Sequence, residues 1–373
     1  MFKKLIFFDG KDFKGWKSFL SNLCKDKPSG VLIFMAEETP FDYEKIQPLL
    51  KETQTEVWGF VFPEVIYKHS RYKCGVVGCT FKAPVSAEVV KNLNDFKGTV
   101  SKKIISENTE SLLIFTDGWA DNIPLLIETL YETCEKEITY LGAGTGSISD
   151  TNRKSLFTRD DYFTRGAIII AVDEFMSIGV EHGLQPIFEP FIATKLDKRI
   201  LKTINWKPAL EFYKNVVEKD SGVKLTKENF PELSASYTFG MLKYDNEIIP
   251  RCTIDMADEE SIFLGSETPD NSMMTIMKGN HKKFIEAAGL ATENAKTGFK
   301  NKKKKLPSKA LIIECITRTL FLGDRFEDQI KLIGNKAGKN VLLFGALSLG
   351  EIASTGDKFI ELYNKTLVIG MGE

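Results

Sequence analysis

The sequence predicts an α/β chain, with a mixed α+β arrangement as its variant, built from repeated strand–helix–strand–hairpin units that form two mixed-sheet, helix-flanked halves. Three observations lead there. Short apolar runs of four to six residues alternate with segments of helical periodicity. Glycines close several of those runs. The 373 residues exceed the size at which one core stops growing, which points to two domains, drawn here as 1–204 and 205–373.

Taken in order, Gly30–Met35 reads as a buried strand. Asp42 is placed to cap a helix carrying Tyr43, Ile46, Leu49 and Leu50, with Pro48 against it. Val57–Ile66 and Gly75–Phe81 read as strands. The plan recurs with Ser111–Thr116 and a helix opening at Asp121, with Pro124 in its tolerated first turn. Its apolar face holds Ile123, Leu126, Ile127 and Leu130, and the strand Glu137–Leu141 runs into glycines. Gly166–Val172 and Ser177–His182 read as a hairpin pair. A third copy comprises Ala310–Ile313, a helix capped by Asp324, Asn340–Glu351 and a closing strand Phe359–Val368. Leu32 to Gly59, Leu113 to Gly142 and Ile312 to Gly345 mark corresponding spans. Between copies two and three lie a helix over Trp206–Val217, a strand near Thr253–Leu264 and a helix over His281–Ala295. Lys302–Lys305 reads as a solvated loop, with a phosphate-binding patch as the alternative.

Composition excludes several classes. Fifty basic and 51 acidic side chains leave a formal charge of −1, which gives no footprint for nucleic acid or an acidic membrane surface. Six scattered cysteines without a Cys-x-x-Cys fit reduced thiols in a cytoplasm. No apolar run is long enough for a secretory signal or a membrane span. The expectation is a cytoplasmic protein.

The glycine loop Gly142-Ala-Gly-Thr-Gly146 invites comparison with a phosphate cradle. A dinucleotide fingerprint must open into an amphipathic helix, and a P-loop ends in Gly-Lys-Ser/Thr. Here Ser147-Ile-Ser-Asp follows instead. The readings left are a tight turn where backbones approach closely and a contact surface for a small ligand. Cys74 and Cys79 stand an odd number apart on a strand and point to opposite faces, which argues against a metal. Cys315 and Arg318 offer an activated thiol, set against a buried core cysteine. Glu64 and Glu351 each follow a strand-end turn, where a carboxylate either recognises an amino group or caps the turn.

These residues also carry a resemblance. Phe344-Gly-Ala-Leu-Ser-Leu-Gly-Glu-Ile352 with Leu362–Leu367 resembles the end of a FIST C-terminal domain. Glu314–Arg318 is similar to that family's Cys-x-x-Arg strand. Val180–Ile187 resembles the His-Gly-Trp-x-Pro-Ile segment of the FIST N-terminal domain, with Leu184 in the Trp position. Trp206–Ala209, Tyr140–Ser149 and Trp58–Ile66 match further motifs in the family's order.

The resemblance implies a sensory, signal-transducing module for a small ligand of the amino-acid kind. The repeated strand-end glycines with polar residues beside them, together with the resemblance, lead to expected ligand contacts from Gly59, Glu64, Gly142, Gly144, Gly146, Ser147, His182, Gly183, Gly345, Ser348, Glu351 and Asn364. With no room for an effector domain, signalling is expected through a separate protein or oligomer contacts. No cofactor or metal is expected. The alternatives are a thiol enzyme using Cys315 with Arg318 and His182, and a protein-interaction scaffold.

Overall fold

The computed structural model describes residues 1–134, 137–243, 247–354 and 359–373. Three six-stranded mixed sheets share one strand order. At the centre of each is a parallel pair, Val31–Ala36 with Val57–Phe62, Ser111–Asp117 with Thr139–Thr145, and Lys309–Cys315 with Leu342–Ser348. The repeat legible in the sequence is therefore real, and its glycines are equivalent in register. Gly59 stands opposite Ile33, Gly142 opposite Ile114, and Gly345 opposite Ile312.

Each second parallel strand runs into a hairpin that leaves its own sheet. Glu64–Tyr67 and Ser70–Tyr72 add to the third sheet, beside Leu342–Ser348. Leu156–Phe157 and Tyr162–Phe163 add to the first. Glu351–Ser354 and Glu361–Tyr363 add to the second. The three sheets thus exchange hairpins in a closed cycle. The termini complete it, because the Phe2 amide donates to the Glu373 carbonyl (2.8 Å).

The apolar runs are near-continuous because both faces of these strands are covered, as parallel strands require. Inside the ring, aromatic rings from all three sheets meet. Phe34 lies 5.5 Å from Phe115 and 6.4 Å from Phe344, and Phe60 lies 4.1 Å from Phe115. Outside, amphipathic helices cover the sheets. Tyr43–Glu52 is capped by the Asp42 carboxylate and runs through Pro48, since burial of Ile46, Leu49 and Leu50 outweighs one lost backbone bond.

Several boundaries differ from expectation. Gly166–Val172 and Ser177–His182 are not a hairpin: Ala167–Val172 pairs with Ser111–Asp117, while Ser177–Glu181 pairs with Leu367–Gly372 in another sheet. Two apolar runs of any such chain look alike locally, and only the sheet decides their partners. The strand near Thr253–Leu264 is a hairpin of Thr253–Met256 and Ile262–Leu264. Asp324 lies before the helix Phe326–Ala337, whose cap is Arg325. Helix His281–Lys303 runs two turns past Ala295, so the lysine run is a helix C-terminus, where positive charge is favourable. The strand Phe2–Phe8 and helix Phe13–Cys24 had no counterpart in the sequence reading.

A nine-stranded antiparallel sheet, with its helices, is inserted between Ser177–Glu181 and His281–Lys303. Its strand Ile248–Arg251 packs against Glu361–Tyr363 of the second sheet's hairpin.

Candidate functional site

The strand-end glycines are closure points of the ring. Gly144 donates its amide to the Gly350 carbonyl (2.7 Å) and accepts from the Leu349 amide (2.8 Å). Gly146, at φ +139°, donates to the Val61 carbonyl (2.8 Å), and a Cβ there would reach 2.7 Å from Leu349. A Cβ on Gly142 would stand 2.0 Å from the Ile114 carbonyl oxygen, and one on Gly345 1.8 Å from that of Ile312. Gly59 lies under the Phe157 ring, and Gly183 against the Lys283 carbonyl. The Ser147 hydroxyl accepts from the Ser149 and Asp150 amides, as a turn cap does. Close backbone approach is the tight-turn reading of the glycine loop.

Four other expected residues, Ser348, Glu351, Cys315 and Asn364, do come together, in the third unit. Glu351 is fully buried; its Oε1 lies 2.5 Å from Ser348 Oγ, and its Oε2 accepts from the Thr366 amide (3.2 Å). Burial, with Glu314 nearby, holds its carboxyl well above the usual range. Cys315 lies beside it, with Sγ 3.1 Å from Thr317 Oγ1. Asn364 ties this knot to the inserted sheet, accepting from the Cys252 amide (3.1 Å) and the Ser266 hydroxyl (3.1 Å). Glu64 is not its counterpart. The first turn is one residue shorter, so Glu64 falls on the opposite face of its strand, where it is buried and accepts from Arg71 Nη1 (3.1 and 3.2 Å).

The activated-thiol reading meets contrary geometry. Arg318 is wholly buried and turned to Glu314, with Nε 3.4 Å from Oε1, to Gln329 Oε1 (3.0 Å), and to the Phe284 and Glu181 carbonyls. Burial pushes the Cys315 thiol up, with Glu351 adding to it. A thiol so placed is a poor nucleophile.

His182 lies apart, in a cleft of about 440 Å³ with Glu181, Tyr363 and Asn294. Its Nδ1 accepts from the Leu184 amide (2.9 Å), which leaves Nε2 as the protonated nitrogen. Burial, then the Arg318 charge, brings its pKa down to about 4. Glu351 and the glycine turns line neither this cleft nor the larger one described next.

The larger cleft, of about 780 Å³, was not foreseen from the sequence. It lies between the helix Ile123–Thr133, the inserted strands around Met241 and Arg251, and the hairpin residues Phe359–Leu362. Arg251 is 4% exposed. Its Nη1 donates to the Pro250 (3.1 Å) and Leu362 (2.8 Å) carbonyls. Its Nε is buried and has no acceptor among the described residues. The available signal was an arginine closing the apolar run Ile248-Ile-Pro-Arg251, where a strand pattern calls for no charge.

The FIST N domain model matches residues 30–207 and the FIST C domain model residues 209–354. The chain belongs to the FIST family. No curated protein matches it. FIST domains are associated with sensory and signal-transduction modules, and the family is thought to bind small ligands. Within this FIST chain the junction of the two matched regions falls beside the short strand Lys207–Pro208 of the inserted sheet. The FIST C match covers most of that sheet and the third parallel pair. Among the described residues no helix is long and apolar enough to cross a membrane.

Proposed function

We propose that this FIST protein is a cytoplasmic sensory module that binds a small polar metabolite of the amino-acid class and signals through a separate protein. The site is the cleft at Arg251 rather than the glycine turns, and the division into 1–204 and 205–373 belongs to the same proposal. One observation carries the reading: a buried arginine whose Nε has no acceptor among the described residues lines a cleft of ligand size. A guanidinium in such a cleft is matched by a carboxylate, and a buried arginine with a donor left over is costly without a further acceptor. Burial already brings the Arg251 pKa down to about 10. An incoming carboxylate relieves that penalty.

Thermal-shift measurement against the twenty amino acids tests the proposal. At least one amino acid should raise Tm in proportion to the logarithm of its concentration. Arg251→Lys, which keeps charge but loses the fork, should weaken that ligand about tenfold or more. A flat Tm across the panel at millimolar concentration rejects the amino-acid reading. The thiol-enzyme alternative finds no support in the surroundings of Cys315.

A further inference from the structure

Resting on that reading, we infer that the ligand is a basic amino acid, with its carboxylate on Arg251 and its cationic side chain against the acidic, aromatic wall opposite. The charges of the cleft are unevenly occupied. Lys198 is held by Asp121 (2.6 Å) and Lys243 by Glu361 (2.8 Å), so neither is free for an anion. Glu247 accepts from the Tyr363 hydroxyl (3.1 Å), and Glu267 from the Asn122 amide (3.2 Å). Both keep their charge, because a hydroxyl and an amide donate without neutralising a carboxylate, and two more stand opposite, Glu128 and Glu132. They lie one helical turn apart on Ile123–Thr133, exposed to the cleft, with no cation partner among the described residues.

Like charges at that spacing repel, and a cation between them removes the repulsion. Tyr131 stands on the same wall with its ring 4.8 Å from that of Phe359, and both rings are exposed. Aromatic faces beside paired carboxylates are a setting for ammonium or guanidinium groups. The uncompensated groups of the cleft therefore comprise the Arg251 guanidinium and the carboxylates of Glu128, Glu132, Glu247 and Glu267. Their complement carries one carboxylate and a net positive charge, which describes lysine, ornithine or arginine and excludes glutamate.

Calorimetric titration of the full chain with L-lysine, L-arginine, L-leucine and L-glutamate tests this. The expected result is binding of lysine and arginine at least about tenfold tighter than leucine, with the margin shrinking in high salt. In the Glu128→Gln/Glu132→Gln variant the margin should vanish while leucine affinity stays unchanged. Both positions are exposed, so its Tm should match the parent. Leucine or glutamate binding as tightly as lysine overturns the basic-ligand inference and leaves the Arg251 site standing. A margin that survives the double substitution overturns it too. No binding by any of the four overturns the basic-ligand inference, and the twenty-amino-acid panel then decides the Arg251 reading.

Discussion

Ser348 Oγ lies 2.5 Å from Glu351 Oε1 and 3.1 Å from the Glu314 carbonyl oxygen. One hydroxyl proton cannot serve two acceptors. A protonated Glu351 resolves the conflict by donating to Ser348, which then donates to Glu314. Burial favours the same protonated form. A carboxyl whose folded pKa is raised contributes stability below its unfolded value and loses it as pH rises toward the folded one. Tm should therefore carry a falling component as pH rises above 4.5, and Glu351→Gln should remove that component. An unchanged slope in the variant would mean that Glu351 is not the titrating group.

His182 should act on the acid side. Its folded pKa, about 4, lies below the ordinary 6.5, so its contribution is present above 6.5 and is lost as pH falls toward 4. Glu314, raised to about 7 by burial, works in the opposite direction over much of that window. His182→Gln should reduce the acid-induced loss of Tm, and Glu314→Gln should steepen it. Denaturation followed from pH 4 to 7 separates the two.

Arg318 holds Glu314 inside the third sheet's helix layer. Arg318→Met should cost roughly 3–5 kcal/mol, because it leaves a buried carboxylate without its cation. Arg318→Met/Glu314→Gln should recover part of that loss. Urea midpoints of the two variants are the measurement, and equal midpoints would show that the pair is not coupled.

Cys315 should be among the slowest of the six thiols toward iodoacetamide in the folded protein. It is buried and its thiol is pushed up, whereas Cys24, Cys74 and Cys134 are partly accessible. Mass-spectrometric labelling in native buffer reads the order. Preferential labelling of Cys315 would revive the thiol-enzyme reading.

Gly142→Ala should destabilise by about 1–3 kcal/mol or more, since its Cβ meets the Ile114 carbonyl oxygen at 2.0 Å, where backbone must move. Gly222→Ala meets nothing within 4 Å and carries only the cost of φ +71°, roughly 1 kcal/mol. A larger loss at Gly222 than at Gly142 in urea unfolding would contradict the packing role given to the ring glycines.

Much of the fold was legible because its signals are local. Gly59, Gly142 and Gly345 repeat at one place in each unit, since a side chain there would strike the neighbouring strand or the hairpin laid over it. Asp42 caps its helix through an amide three residues away. The candidate site was legible only in part. Ser348, Glu351, Cys315 and Asn364 meet as the motifs suggested, but in a sealed knot. Arg251 has no motif around it, and its Nε is left without an acceptor while the Pro250 and Leu362 carbonyls take Nη1.

The sequence by itself determined the three units, their buried parallel strands and the membership in the FIST family, because periodicity, glycine spacing and motif order lie within short stretches of chain. The tertiary structure decided which sheet each hairpin joins and where the clefts open. A hairpin edge offers the same backbone donors and acceptors to any strand, so its partner is chosen by how rings such as Phe34, Phe115 and Phe344 fill the common centre. The one-residue difference between the turns before Glu64 and Glu351 was visible in the chain. That it pairs one buried carboxylate with Arg71 and sets the other beside Ser348 was settled only when the sheets closed.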